Sequence, residues 1–144
     1  MESPFVVVVK AALDEARRRG DRRLGTEHLF LGLLHEELAA RAVGVDLAAA
    51  RDALDRLDRA ALAAIGIDLG DIPVGRVVPA RKRPPLTSTA RAALNTAVRM
   101  SRVRTRHLSS LYLLVTLLDL AHPDPVADLL DELGVDRTAV RARV

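Results

Sequence analysis

An all-α fold is predicted by three features of this 144-residue sequence. Hydrophobic residues make up 49% of it and aromatics only 2%, so the core must be aliphatic, built from Leu, Ala and Val. Ala and Leu favour helix, and runs of strand formers are confined to Val6–Val9 and Val74–Val78. Apolar residues recur at helical spacing between well-placed capping residues.

The first helix is expected over Phe5–Arg19, with Phe5, Val8, Val9, Ala12 and Ala16 on its inner face. Asp14 and Glu15 precede Arg17, Arg18 and Arg19, which makes i,i+3 and i,i+4 pairs available. Gly20 ends this helix. Leu24–Glu36 then reads as a turn, a capped start and a strongly apolar helix. Thr26 is placed as N-cap, and Glu27 sits in the first turn, where the helix dipole favours a negative charge. Gly32 costs roughly 1 kcal/mol of helix propensity against Ala, which suggests close approach of another backbone. A short helix follows over Glu37–Val43 and is closed by Gly44. Asp46 caps the next, Leu47 to about Ile65, with Leu47, Leu54, Leu57, Ala61 and Ile65 on one face.

Residues 66–86 read as a linker rich in Gly and Pro, in which Val74–Val78 is a short extended piece. Beyond it, Thr87 or Thr89 caps a helix running through Ser101, with Leu94, Ala97 and Val98 on its inner face. Thr105 caps another over Arg106–Leu120. Asp124 and Pro125 start a helix over Val126–Leu133. Gly134 closes that one, and Asp136 caps the last.

The second half echoes the first. Thr26-Glu27-His28-Leu29 matches Thr105-Arg106-His107-Leu108, and Gly44-Val45-Asp46 matches Gly134-Val135-Asp136. These marks define a repeated four-helix unit, about residues 3–65 and 87–144, and eight helices in all. His28 and His107 hold equivalent helix-start positions, which points to buried imidazoles bonded to backbone; Gly44 and Gly134 are likewise structural marks of the repeat.

Several functions find no support in the residues. There is no Cys, hence no disulfide framework and no Cys-ligated metal. His35 and His122 lack ligand-like spacing, so neither a metal nor a cofactor is expected. The apolar run Leu108–Ala121 is shorter than the about 20 residues a bilayer requires, and Met1–Pro4 lacks the basic stretch of a signal peptide. A cytoplasmic protein is expected. Gly70 and Gly75 have the spacing of a phosphate loop but continue Arg76-Val77, without its Lys or hydroxyl. Nucleotide hydrolysis is rejected, and no enzyme is expected. Net charge is +3, and from Arg76 to Arg106 there are nine cations and no carboxylate. That stretch is either a solvated basic face or a surface for an anionic partner.

Leu24–Glu36, with Glu15-Ala16-Arg17-Arg18 before it and Gly44-Val45-Asp46 after it, resembles the signature of the Clp N-terminal (Clp repeat) domain family, of the ClpC/ClpA type. The resemblance implies an all-α, eight-helix bundle made of two pseudo-twofold-related four-helix repeats, the second degenerate, forming one domain over residues 1–144. A stand-alone N-domain without the ATPase modules is the expectation. In the family this domain binds substrates and adaptors. A non-catalytic protein- or peptide-recognition module follows, an accessory or decoy factor for a Clp ATPase or protease. In N-domains of the Gram-positive type, the Glu of the Thr-Glu-His motif helps bind phosphoarginine, which nominates Glu27 and its neighbour Thr26. Arg106 takes that Glu's place in the second repeat and would attract an acidic or phosphorylated group instead. A second family surface binds hydrophobic peptides through two Phe residues; Phe5 answers to the first, with core packing as its plain alternative, and Leu86 replaces the second. The alternative function is a nucleic-acid-associated protein using Arg76–Arg106, although stacking aromatics are lacking.

Overall fold

The computed structural model describes residues 3–68, 70, 83–103 and 109–144. Among these it contains eight helices: α1 (Pro4–Arg19), α2 (Thr26–Leu33), α3 (Glu37–Val43), α4 (Leu47–Ala64), α5 (Ser88–Val103), α6 (Ser109–Leu118), α7 (Pro125–Glu132) and α8 (Arg137–Ala142). The expectations for Val74–Val78, Thr105, Arg106, His107 and Leu108 lie outside the described residues. The all-α bundle is as expected, and the helix bounds follow the caps.

Most of the described helix starts have a side-chain cap with an identifiable donor and acceptor. Ser3 caps α1 by accepting from the Val6 N–H at 3.3 Å, with Pro4 supplying the fixed φ of a first turn. Gly20 ends α1 in the left-handed region, φ 74°, where a side chain is disfavoured. The Glu36 carboxylate accepts from Leu38 and Ala39 N–H at 3.2 and 2.8 Å and so separates α3 from α2. At α5 the choice between two threonines is resolved: the Thr87 hydroxyl accepts from the Ala90 N–H at 3.1 Å. Asp124 and Asp136 cap α7 and α8 through their carboxylates. Asp46 precedes α4 but makes no side-chain cap.

The core is one continuous aliphatic cluster drawn from both halves. Its centre is a pair of apolar helices in equivalent places. α2 contributes Leu29, Phe30, Leu31 and Leu33, and α6 contributes Leu113, Leu114, Leu117 and Leu118. α1 packs on α2 as α5 packs on α6. The two halves are also tied by backbone. The Leu24 N–H donates to the Pro85 carbonyl at 2.8 Å, and the Thr87 N–H donates to the Leu24 carbonyl at 3.0 Å. This isolated parallel bridge sets the entry to α2 beside the entry to α5.

Gly32 shows why α2 accepts a poor helix former. A Cβ there would stand 2.4 Å from the Val8 carbonyl oxygen and 2.9 Å from the Ala12 nitrogen. α1 therefore crosses α2 backbone to backbone.

Two readings of the spacing need correction. Ala61 and Ile65 are exposed, Ile65 by 72%, so the packing face of α4 stops at Leu57. Glu15 does not join the surface arginines. It is buried, bonded to Arg51 at 2.9 Å and to His35 Nε2 at 3.0 Å. Asp14 makes the expected pair, with Arg17 at 3.5 Å.

The Gly32 contact yields a stability prediction. Gly32→Ala gains helix propensity but must push the Val8 backbone aside, and overpacking of this kind costs about 1–3 kcal/mol. A lower midpoint in chemical denaturation is expected; an unchanged or raised midpoint would show that α1 can yield.

Candidate functional site

The start of α2 is built on a sequence of short polar contacts. Thr26 is not the N-cap. Gly25 occupies that position, and Thr26 is the first helical residue. Glycine has no side chain to cap with, and His28 supplies the reciprocal half of a capping box: its Nδ1 accepts from the Gly25 N–H at 2.9 Å. With Nδ1 bare, Nε2 carries the proton and donates to Asp21 Oδ2 at 2.6 Å. The expectation of a buried imidazole bonded to backbone thus holds for His28, which is 2% exposed. The Thr26 hydroxyl is released from capping and donates across the molecule to Asp124 Oδ1, the N-cap carboxylate of α7.

Glu27 is the one residue of α2 that is not buried. Its side chain is 20% exposed, yet its Oε1 is enclosed and has no hydrogen-bond partner among the described residues. His28 Nδ1 lies 3.7 Å away but is already accepting, so it offers no proton. Burial pushes the Glu27 carboxyl above its usual range, against the opposing pull of His28 and its own backbone N–H; Asp21 and Asp124 add to the rise. Gly25 provides the room: a Cβ on it would lie 2.0 Å from Glu27 Oε1, so any side chain at 25 displaces the carboxylate.

Around Glu27 lies a cleft of ≈ 260 Å³, walled by residues of both halves. From the first half come Arg19, Asp21, Arg23, Leu54 and Asp58; Thr87, Thr89 and Pro125 come from the second. Arg19 is half-buried, its side chain 11% exposed, and saturated. It bonds Asp21 at 3.1 Å and Asp55 at 2.6 Å, and it also reaches Asp58. Burial raises the Asp58 carboxyl, with Arg19 opposing and Asp21 and Asp55 adding. Asp21 is held low: burial raises it, but the His28 hydrogen bond and the Arg19 charge prevail. The interior of the cleft is therefore rich in acceptors, while Arg23, the Thr87 and Thr89 hydroxyls and the start of α5 stand at its edge. Such a cavity is smaller than the about 300 Å³ at which drug-sized pockets begin, and suits one side chain.

The other nominated residues lie elsewhere. Phe5 and Leu86 are half-buried against the core, and neither lines this cleft. Gly44 and Gly134 terminate helices in the left-handed region, φ 71° and 67°. Arg106 and His107 fall outside the described residues. Asp21, Asp58, Thr87 and Thr89 gave no signal as site residues, because acids and hydroxyls spread over 68 sequence positions carry no motif. No cluster of His and carboxylates suited to a metal occurs among the described residues.

Comparison with known proteins decides the family. The model of the Clp repeat N-terminal domain matches residues 3–106. The chain belongs to the Clp N-terminal domain family. Among solved structures, the N-terminal domain of the caseinolytic protease associated chaperone ClpD from Arabidopsis thaliana is similar. It has 17% identity and a TM-score of 0.68, and the match covers 99% of this chain and 90% of that one. That likeness extends the Clp N-domain fold across the second half, beyond the residues the family model matches. No curated protein matches the sequence at a significant level. Within this Clp N-domain, no described helix is long and apolar enough to cross a membrane.

Opposite pH signatures are expected of Glu27 and Glu15. Glu27 has a folded-state pKa above its unfolded value of 4.5, so ionisation penalises the fold as pH rises through the folded pKa. Glu27→Gln should therefore be more stable than wild type at neutral pH, with the difference closing in acid. In Glu15, burial raises the pKa but the bonds from Arg51 and His35 bring it below 4.5. Its contribution is present above the unfolded pKa and lost as pH falls through the folded one, so Glu15→Gln should be less stable at neutral pH and converge in acid. Thermal unfolding across this range measures both; the same sign for the two variants at neutral pH would refute the assignment.

Proposed function

We propose that this Clp N-domain is a non-catalytic recognition module that takes a guanidinium-bearing side chain of a client protein or peptide into the cleft at the start of α2. The observation that carries the reading is the unpartnered Glu27 Oε1 at the wall of that cleft. A buried carboxylate oxygen without a donor is costly, and a guanidinium supplies N–H donors and a compensating charge together. The acceptor-rich interior favours a cation over an anion. The edge offers what a phosphorylated guanidinium needs in addition: the Arg23 charge, two hydroxyls and the positive end of α5. A phosphoarginine side chain is thus the ligand proposed, and clients bearing it are the partners. On this reading the module serves a Clp ATPase or protease as an accessory or decoy factor, gathering or withholding the same clients. Glu27 acts as guanidinium acceptor. Thr26 acts indirectly, by tying α2 to Asp124.

Calorimetric titration with a phosphoarginine-bearing peptide tests the proposal. A hydrogen bond to a charged group contributes about 1.5–3 kcal/mol, so Glu27→Gln should weaken binding by roughly tenfold or more. Arg23→Ala should weaken the phosphorylated peptide while sparing its unmodified arginine counterpart. No binding by the wild-type protein, or equal binding by Glu27→Gln, would overturn the reading.

A further inference from the structure

The pairing of cations in this protein divides by location. Nearly everywhere among the described residues, Lys and Arg side chains have polar partners. Arg19 holds three aspartates, Arg51 holds Glu15, Arg56 holds Glu132, and Arg141 holds Asp119. Others bond backbone carbonyls, as Arg137 and Arg143 do. Five arginines have no ion pair or side-chain hydrogen bond among the described residues: Arg22, Arg23, Arg83, Arg91 and Arg99. All five are exposed, and all belong to one region.

The fold assembles that region from distant sequence. The Leu24–Leu86 bridge lays Arg22 and Arg23 alongside Pro84 and Pro85, with Arg83 next in the chain. Thr87 then starts α5, with Arg91 one turn further on. Arg99 lies two turns beyond Arg91, about 12 Å along the axis, with exposed Asn95 between them on the same stripe. No Asp or Glu occurs anywhere from residue 83 to 103. Gathering like charges on one face costs the isolated fold, and an anionic partner relieves that cost.

We propose that this arginine band is a docking surface for an acidic segment of a partner protein. An acidic helix carries carboxylates at i, i+4 and i+8 with the same rise, so its charges can meet Arg91 and Arg99 in register. Nucleic acid is the less suitable anion. The band has no aromatic side chain on which a base could stack, since Phe5, Phe30 and Tyr112 are all in the core or packed against it. The surface adjoins the Glu27 cleft and shares Arg23 with it, but Arg91 and Arg99 lie outside the cleft lining.

Fluorescence anisotropy with the full chain and a labelled helical peptide carrying glutamates at i, i+4 and i+8 tests this. Binding should weaken as salt is raised. Arg91→Glu with Arg99→Glu should weaken it about tenfold or more, whereas Arg91→Lys with Arg99→Lys should retain it, because rim pairs act through charge. Circular dichroism confirms the fold of each variant, the replaced side chains being exposed. Glu27→Gln should bind the acidic peptide as wild type does, so failure of the cleft reading and failure of this one are distinguishable. The proposal is overturned by absence of peptide binding at low salt, by equal affinity of the double Glu variant, or by tighter binding of a single-stranded oligonucleotide than of the peptide.

Discussion

The structure depends on enclosing α2. Seven of its eight residues are buried, so it must be walled on nearly every side. α1 supplies one wall at backbone contact, which is possible only because residue 32 has no Cβ. α4 from the same half and α5, α6 and α7 from the other supply the remainder. A single four-helix unit cannot provide so many walls. The need to bury α2 is therefore a physical reason for two repeats to share one core, and it accounts for the cleft at the start of α2 drawing its lining from both.

Enclosure sets the electrostatics of that start. A helix N-terminus exposes N–H groups that need acceptors, and here the usual Ser, Thr or Asp cap is replaced by glycine with an imidazole three residues on. The replacement has two effects. Gly25 leaves space for the Glu27 carboxylate, and His28, held by Asp21, uses its bare nitrogen on the Gly25 N–H and so has nothing to donate to Glu27. Glu15 is the contrasting case. It is as deeply buried as any carboxylate described, yet Arg51 and His35 satisfy both of its oxygens. One buried acid is built into the fold; the other is left with an unfilled acceptor beside a cavity. Stability at neutral pH would improve if Glu27 were neutral, which is the relation expected of the binding role proposed above.

Helix positions were legible because each boundary has a local chemical cause. Ser3 lies before Pro4, Asp124 before Pro125, and Gly20, Gly44 and Gly134 stand where the chain must turn left-handed. The meaning of Gly32 was legible for the same reason, since a helix breaker at the centre of an apolar helix is tolerated chiefly where a second backbone needs the space. What was not legible is long-range. Nothing local distinguishes a Thr that caps its own helix from one that reaches a carboxylate 98 residues away, as Thr26 does. Nor can spacing show that Glu15 turns inward to Arg51 rather than outward to a neighbouring arginine. The apolar stripe of α4 misled in the other direction, since periodicity runs on to Ile65 although the neighbouring helices end their contact at Leu57.

The cleft follows from the same long-range closure. Glu27 was nominated by its motif, but a motif carries one residue type at one position and cannot supply the cavity. Asp58 is 31 positions away on α4, and Thr87 is 60 positions away at the start of α5. They come to Glu27 because the Leu24–Leu86 bridge and the Thr26–Asp124 bond hold the two halves in register at this end of the bundle. The repeat signature thus specifies the acceptor, and the seam between repeats specifies its surroundings. Two N-domains can share the Thr-Glu-His motif and still differ in ligand if their seams differ. In this chain the seam brings a saturated Arg19, a raised Asp58 and the exposed cation Arg23 to the acceptor.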